Sequence, residues 1–161
     1  MIVVGDTSVI SNLFLVGHLD ILESLFHSVV IPQKVQDELL ELQGFGIDVN
    51  PILHAPFIVV KTPANQALVQ QFLTEIDEGE AQAIVLALEI NADLILVDEM
   101  KGRAIAEQQG LHVTGLLGVL LRAKKHGLLP SIKPVLEQLK NEIGFYISDK
   151  LLLQIIKLAN E

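Results

Sequence analysis

Leu94-Ile95-Leu96-Val97 is an uninterrupted apolar run that stops on an acid, Asp98. A run of this length and kind suits a strand buried on both faces. The same pattern opens the chain, where Ile2-Val3-Val4 leads through Gly5 to Asp6. Val29–Ile31, Phe57–Lys61 and Leu111–Thr114 also read as strands. Helical patterns lie between them. Ser8 is placed to cap a helix running toward Val16. Asp20–Phe26 reads as a second helix, and Gln33–Leu42 as a third behind Pro32. Ala64–Ile76, Glu78–Asn91 and Lys101–Gln109 follow, the last stopped by Gly110. Leu116–His126, Ser131–Asn141 and Ser148–Asn160 complete the set, and Gly44–Pro56 reads as the loosest stretch. Strands separated by helices predict a three-layer α/β fold. Its central sheet is mostly parallel, of about four to five strands, with helices on both faces. In such sheets ligands bind beyond the carboxyl ends of the strands. Asp6 and Asp98 stand there.

A chain of 161 residues is expected to form one domain spanning 1–161. It has no Cys, which excludes a disulfide framework and a thiolate metal site. No charged leader and no membrane-length apolar run is visible, so a soluble, cytoplasmic protein is expected, with no membrane partner. The net charge of −9 argues against a passive, charge-driven nucleic-acid binder. Its distribution is uneven. Residues 1–100 hold 15 acids against two basic residues, Lys34 and Lys61, while residues 101–161 hold nine basic residues against five acids.

Asp6 and Asp98 each have a plain reading as helix caps. Glu38 and Glu80 are harder to dismiss. Glu38 lies three residues after Val35 and four before Leu42, at the edge of an apolar stripe. Ala83, Ile84 and Ala87 fall three, four and seven residues after Glu80, which puts it on the packing face. A carboxylate beside a core stripe is costly unless paired, and basic partners are scarce in this half. Hard cations such as Mg2+ or Mn2+ take oxygen ligands of this sort. Two-metal carboxylate sites hydrolyse phosphodiesters. Asp6, Glu38, Glu80 and Asp98 are therefore the candidate catalytic and metal-ligating residues.

With this set in view, the sequence resembles the PIN-domain nucleases over Met1 to about Gly127. Asp6-Thr7-Ser8 after an N-terminal strand looks like the family opening. Pro32 followed by Glu38 is similar to its second acidic position. Glu80-Ala81 resembles the third, where the family usually has Asp, so one ligand arm is longer. Leu94 to Glu99 resembles the strand with a terminal acid pair. Lys101-Gly102-Arg103 and Thr114-Gly115-Leu116-Leu117-Gly118 fit one little-characterised branch, related to VapC-type toxin ribonucleases. The resemblance implies a divalent-metal-dependent endoribonuclease acting on RNA, the toxin half of a toxin–antitoxin pair with a cognate antitoxin protein. A catalytically weak scaffold that works through protein binding is the alternative.

Other phosphate chemistries fit less well. A haloacid-dehalogenase site needs a second Asp two residues after Asp6, where Ser8 stands. No P-loop, Gly-x-Ser-x-Gly or dinucleotide fingerprint is present. Thr7, Ser8 and Thr114 can hold a water or a phosphate oxygen, or serve as cap and turn hydroxyls. Lys101 and Arg103 are candidate contacts for substrate phosphate. Of the histidines, only His112 lies near a strand end. Arg122, Lys124, Lys125 and His126 form a second basic cluster, also readable as favourable charge at a helix C-terminus. Six Phe and one Tyr are spread thinly and offer no visible platform for base stacking. Residues 145–161 carry a last helix with more large apolar residues than one face holds. It is expected to serve as an interface, most simply in a homodimer, or as a partner dock.

Overall fold

The computed structural model describes all 161 residues. Its five strands are β1 (Val3–Gly5), β2 (Val29–Ile31), β3 (Ile58–Val60), β4 (Leu94–Leu96) and β5 (Val113–Thr114). All pair in parallel, in the order β3-β2-β1-β4-β5. The chain steps outward from β1 to β3, then returns to the other side of β1 with β4. The β1/β4 junction is thus the point where strand order reverses, and crevices form there in open α/β sheets. Register sets Gly5 opposite Leu96. Asp6 and Asp98 consequently leave the sheet at neighbouring strand ends.

Alternation along the strands divides the interior. Val3, Leu94 and Leu96 enter one hydrophobic core, while Val4, Ile95 and Val97 enter the other. The first core is covered by α1 (Thr7–Leu15), α2 (Asp20–Phe26), α3 (Gln33–Leu40), α8 (Leu116–Lys125), α9 (Lys133–Gln138) and α10 (Asp149–Leu158). The second is covered by α5 (Gln66–Phe72), α6 (Glu78–Glu89) and α7 (Met100–Gln108). Helix α6 lies over β1 and β4 and against α3. Its stretch Gly79–Ala87 is buried throughout, and its small side chains permit that close approach.

Local differences from the sequence reading have physical causes. Helix α1 begins at Thr7, so Asp6 occupies the cap position and Ser8 lies inside the first turn, not at the cap. The stretch expected to be loose contains a short helix, α4 (Asn50–Leu53), started by Pro51 and pinned by buried Ile52. Helix α3 ends at Leu40 and tightens into a 3-10 turn, Glu41–Phe45, which ends on Gly46 at φ 77°. The helix expected over Ser131–Asn141 is α9 continued by a π-helical segment, Leu139–Ile143, which ends on Gly144 at φ 78°. No helix is long and apolar enough to cross a membrane.

The C-terminal helix is fastened at its far end. The Glu161 carboxylate accepts from Ile132 N–H at 2.8 Å, from Lys124 Nζ at 3.0 Å and from the Ser131 hydroxyl. These donors outweigh the effect of burial and lower its pKa to about 2. Ile155 and Ala159 are buried, whereas Leu153 and Leu158 are 69% and 62% exposed.

Candidate active site

Four acids come together from four elements at the carboxyl end of the sheet. Asp6 follows β1, Asp98 follows β4, Glu38 projects from α3 and Glu80 from the first turn of α6. The buried polar side chains are Asp6, Glu80 and Gln82, and two of these three are candidate ligands. The cap reading explains neither strand-end acid. Asp6 makes no capping hydrogen bond into the turn of α1, and only the N–H of the adjoining Thr7 acts on its carboxylate. Asp98 accepts the N–H of Leu116 through Oδ1 at 2.8 Å, so it is tied to α8 and not to the helix that follows it.

Burial dominates the electrostatics. It pushes Asp6 up to about 7, opposed by the N–H of Thr7 and reinforced by the charges of Asp77, Glu38 and Asp98. It pushes Glu80 to about 8, helped by a hydrogen bond shared with Asp77 and by the charges of Asp77, Asp6 and Glu99. Burial also raises Glu38, against the stabilising hydroxyl of Thr7, with Asp77 repelling and Lys34 attracting. Asp98 is raised by burial against the pull of the Leu116 N–H and Arg103. Arg103 and Lys34 act on Asp98 and Glu38 only, and no cation offsets Asp6 or Glu80. Lys34 pairs with Glu78, at 3.7 Å.

Three glycines make room for these carboxylates. A Cβ on Gly79 would run into the Glu38 carboxylate, and one on Gly102 into that of Glu80. A Cβ on Gly115 would lie 2.6 Å from Asp98 Oδ1.

The donor set fits a hard divalent cation. It is all oxygen, and Glu80 Oε2 and Asp98 Oδ2 are buried without any hydrogen-bond partner. As the side chains stand, no three of them close on one point, so holding an ion requires some to turn.

The remaining sequence candidates divide into near and far. Thr7 Oγ1 donates to Glu38 Oε2 at 2.6 Å. Ser8 Oγ is buried and unpartnered. Glu99 is exposed on the rim shared by two cavities. Thr114 lines one of them, and Lys101 the other. Arg103 sends Nη1 toward the Val97 carbonyl at 3.4 Å, beside Asp98. His112 is exposed and lines neither cavity. The second basic cluster lies at the far end of α8, with Arg122 over the Phe26 ring and Lys124 on Glu161.

Asp77 was not singled out by sequence. It caps α6 by accepting the N–H of Glu80 at 2.8 Å, and it acts electrostatically on Asp6, Glu38 and Glu80. Asp77-Glu78-Gly79-Glu80 has the spacing of a capping box, which is the signal that marks it.

A parallel sheet with buried acids at its reversal point sets an all-oxygen donor group at the crevice where ligands of α/β sheets bind. A family model for PIN domains, DUF3368, matches residues 2–161, and the chain belongs to the PIN-domain family. PIN domains are generally nucleases and typically use divalent metals. Among solved structures, a PilT N-terminus domain protein from the hyperthermophilic archaeon Sulfolobus solfataricus superposes with a TM-score of 0.52 at 20% identity. The match covers 74% of this chain and 91% of that one. That likeness is one of fold. No curated protein sequence matches the chain.

Proposed function

We propose that this protein is a divalent-metal-dependent endoribonuclease, with Asp6, Glu38, Glu80 and Asp98 as ligands to Mg2+ or Mn2+. The observation that carries the reading is the burial of Asp6 and Glu80 among other acids with no cation beside them. Such a group is costly in isolation, and a bound cation offsets the cost. When bound, the ion supplies activation of water and neutralisation of the leaving oxygen. The chain's own residues do the rest. Thr7 orients Glu38, the Leu116 N–H orients Asp98, and Arg103 and Lys101 stand where substrate phosphates approach. Glu99 and Thr114 border the approach, and Ser8, two residues after Asp6, offers a buried, unpartnered hydroxyl.

A role as the toxin half of a toxin–antitoxin pair is part of the proposal. Leu153 and Leu158 of α10 offer an apolar surface for an antitoxin or a second copy of the chain. The longer arm of Glu80 and the open arrangement of the carboxylates support a second reading, a scaffold with weak catalysis.

Cleavage of single-stranded RNA with Mn2+ separates the two. The parent is expected to cut and Asp6→Asn to lose at least 100-fold in rate, on the order of one removed catalytic electrostatic contact. Equal activity of parent and variant would refute the nuclease assignment, and no cutting by either would favour the scaffold.

A further inference from the structure

A cleft of about 1040 Å3 leads away from the acids between α8 and the C-terminal segment. Its inner end is charged, with Asp98, Glu99 and Arg103. Its outer end is lined by uncharged side chains, among them Leu117, Leu121, Ile143, Phe145 and Tyr146. Gly115 and Gly118 also line it, where Asp98, Arg103 and Thr114 pack close against their backbone. The volume is at the upper limit of the roughly 300–1,000 Å3 common for ligand sites.

Tyr146 is 84% exposed, yet its backbone is held on both sides. Phe145 is half-buried against the first core, and Ile147 is 4% exposed. The left-handed Gly144 turns the chain, and Phe145 N–H bonds to the Leu139 carbonyl at 2.9 Å. A large aromatic is thus presented to solvent on a fixed support, at the mouth of the cleft.

We propose that this cleft takes a nucleobase of single-stranded RNA, stacked on Tyr146, while the adjoining phosphate meets Arg103 beside the acids. The proposal rests on the nuclease reading above. A nucleotide fits this division, its phosphate complementary to the Arg103 guanidinium and its flat base to the uncharged end. The cavity on the other side of Glu99 and Met100 is a poorer match, because Glu75, Asp77 and Glu80 line it against a single lysine, Lys101. Leu151 and Ile155 of α10 line the cleft, but the more exposed Leu153 and Leu158 do not, and a protein partner seated on those two does not need it. The sequence hides this platform because Phe145 and Tyr146 are a lone aromatic pair until the turn at Gly144 sets them on the cleft that Asp98 and Glu99 also line.

Fluorescence anisotropy with a short, fluorescein-labelled single-stranded RNA, in EDTA at low salt, tests the proposal on the intact protein. Tyr146→Ala is expected to weaken binding by roughly fivefold to twentyfold, within the range for one stacked base. Tyr146→Phe should restore it. Phe45→Ala, which removes an aromatic 82% exposed elsewhere, should bind as the parent does. RNAs carrying a single abasic position, moved along the strand, should reveal one position at which the loss from Tyr146→Ala disappears. Equal binding by parent and Tyr146→Ala overturns the proposal. So does an undiminished Tyr146 effect on every abasic RNA, a failure of the parent to bind any RNA, or a fall in mass by light scattering on Tyr146→Ala, which would assign the cleft to a second copy. A Tyr146 effect on binding without any cleavage by the parent sinks the nuclease reading and leaves the cleft standing. Cleavage without a Tyr146 effect does the reverse.

Discussion

The hydroxyl of Thr7 donates to Glu38 Oε2 at 2.6 Å, joining the first turn of α1 to the middle of α3. It favours the charged form of Glu38 and works against the burial that raises its pKa. Thr7→Val keeps the shape and removes the donor. The variant should raise the Glu38 pKa further and cost the folded protein about 1–2 kcal/mol near neutral pH, as for a hydrogen bond to a charged group. Carboxyl NMR titration and thermal melts read the two effects. A Glu38 titration that does not move would show that the hydroxyl does not hold the carboxylate.

The raised pKa values of Asp6 and Glu80, about 7 and about 8, fix the sign of a pH effect. Between their ordinary values near 4 and these folded values, the native state binds more protons than the unfolded chain. The stability tied to these groups is complete below roughly pH 4 and is lost as pH rises through 7 and 8. In EDTA, the melting temperature should therefore climb as pH falls from 9 to about 5. Asp6→Asn should flatten part of that slope and stabilise the metal-free protein at pH 8 by about 1–3 kcal/mol. Added Mn2+ should flatten the slope too, because it binds the deprotonated carboxylates. Scanning fluorimetry across this range is sufficient. A profile that is level both with and without metal contradicts the electrostatics described.

Gly102 separates stability from ligation. In an exposed helix interior, Gly→Ala stabilises by about 1 kcal/mol. Here the new Cβ would run into the Glu80 carboxylate and approach Val97 Cγ1 at 3.1 Å. The carboxylate is the end of a flexible side chain and can move aside. Gly102→Ala should therefore change the melting temperature by only a few degrees and weaken Mn2+ binding about tenfold, as loss of a supporting contact does. Unchanged Mn2+ affinity would mean that the position of Glu80 does not matter to the ion.

The readable part of the site came from residues whose chemistry conflicts with their place in the pattern. Asp6 and Asp98 end apolar runs, and parallel strands carry both to one edge of the sheet. Glu38 and Glu80 border or enter apolar stripes, and the packing of α3 against α6 turns both toward that edge. Asp77 violates no such rule. It is an exposed residue in an ordinary cap position, and its influence arises only once Glu38 and Asp6 are brought beside it. The room supplied by Gly79, Gly102 and Gly115 is likewise invisible in one dimension, because each glycine faces an acid from a different element or a distant part of the chain. Ser8 misled in the opposite direction. Ser and Asp both favour cap positions, and only the extended backbone at Asp6 decides between them.

Isothermal titration of the metal-free protein with Mn2+ at pH 7.5 tests the four-acid site most directly. The account predicts a saturable isotherm for the parent, with proton release that scales with buffer ionisation enthalpy. It predicts at least a tenfold loss of affinity for Asp6→Asn and for Asp98→Asn, each still folded by circular dichroism. Mn2+ binding by both variants as tight as that of the parent would contradict it.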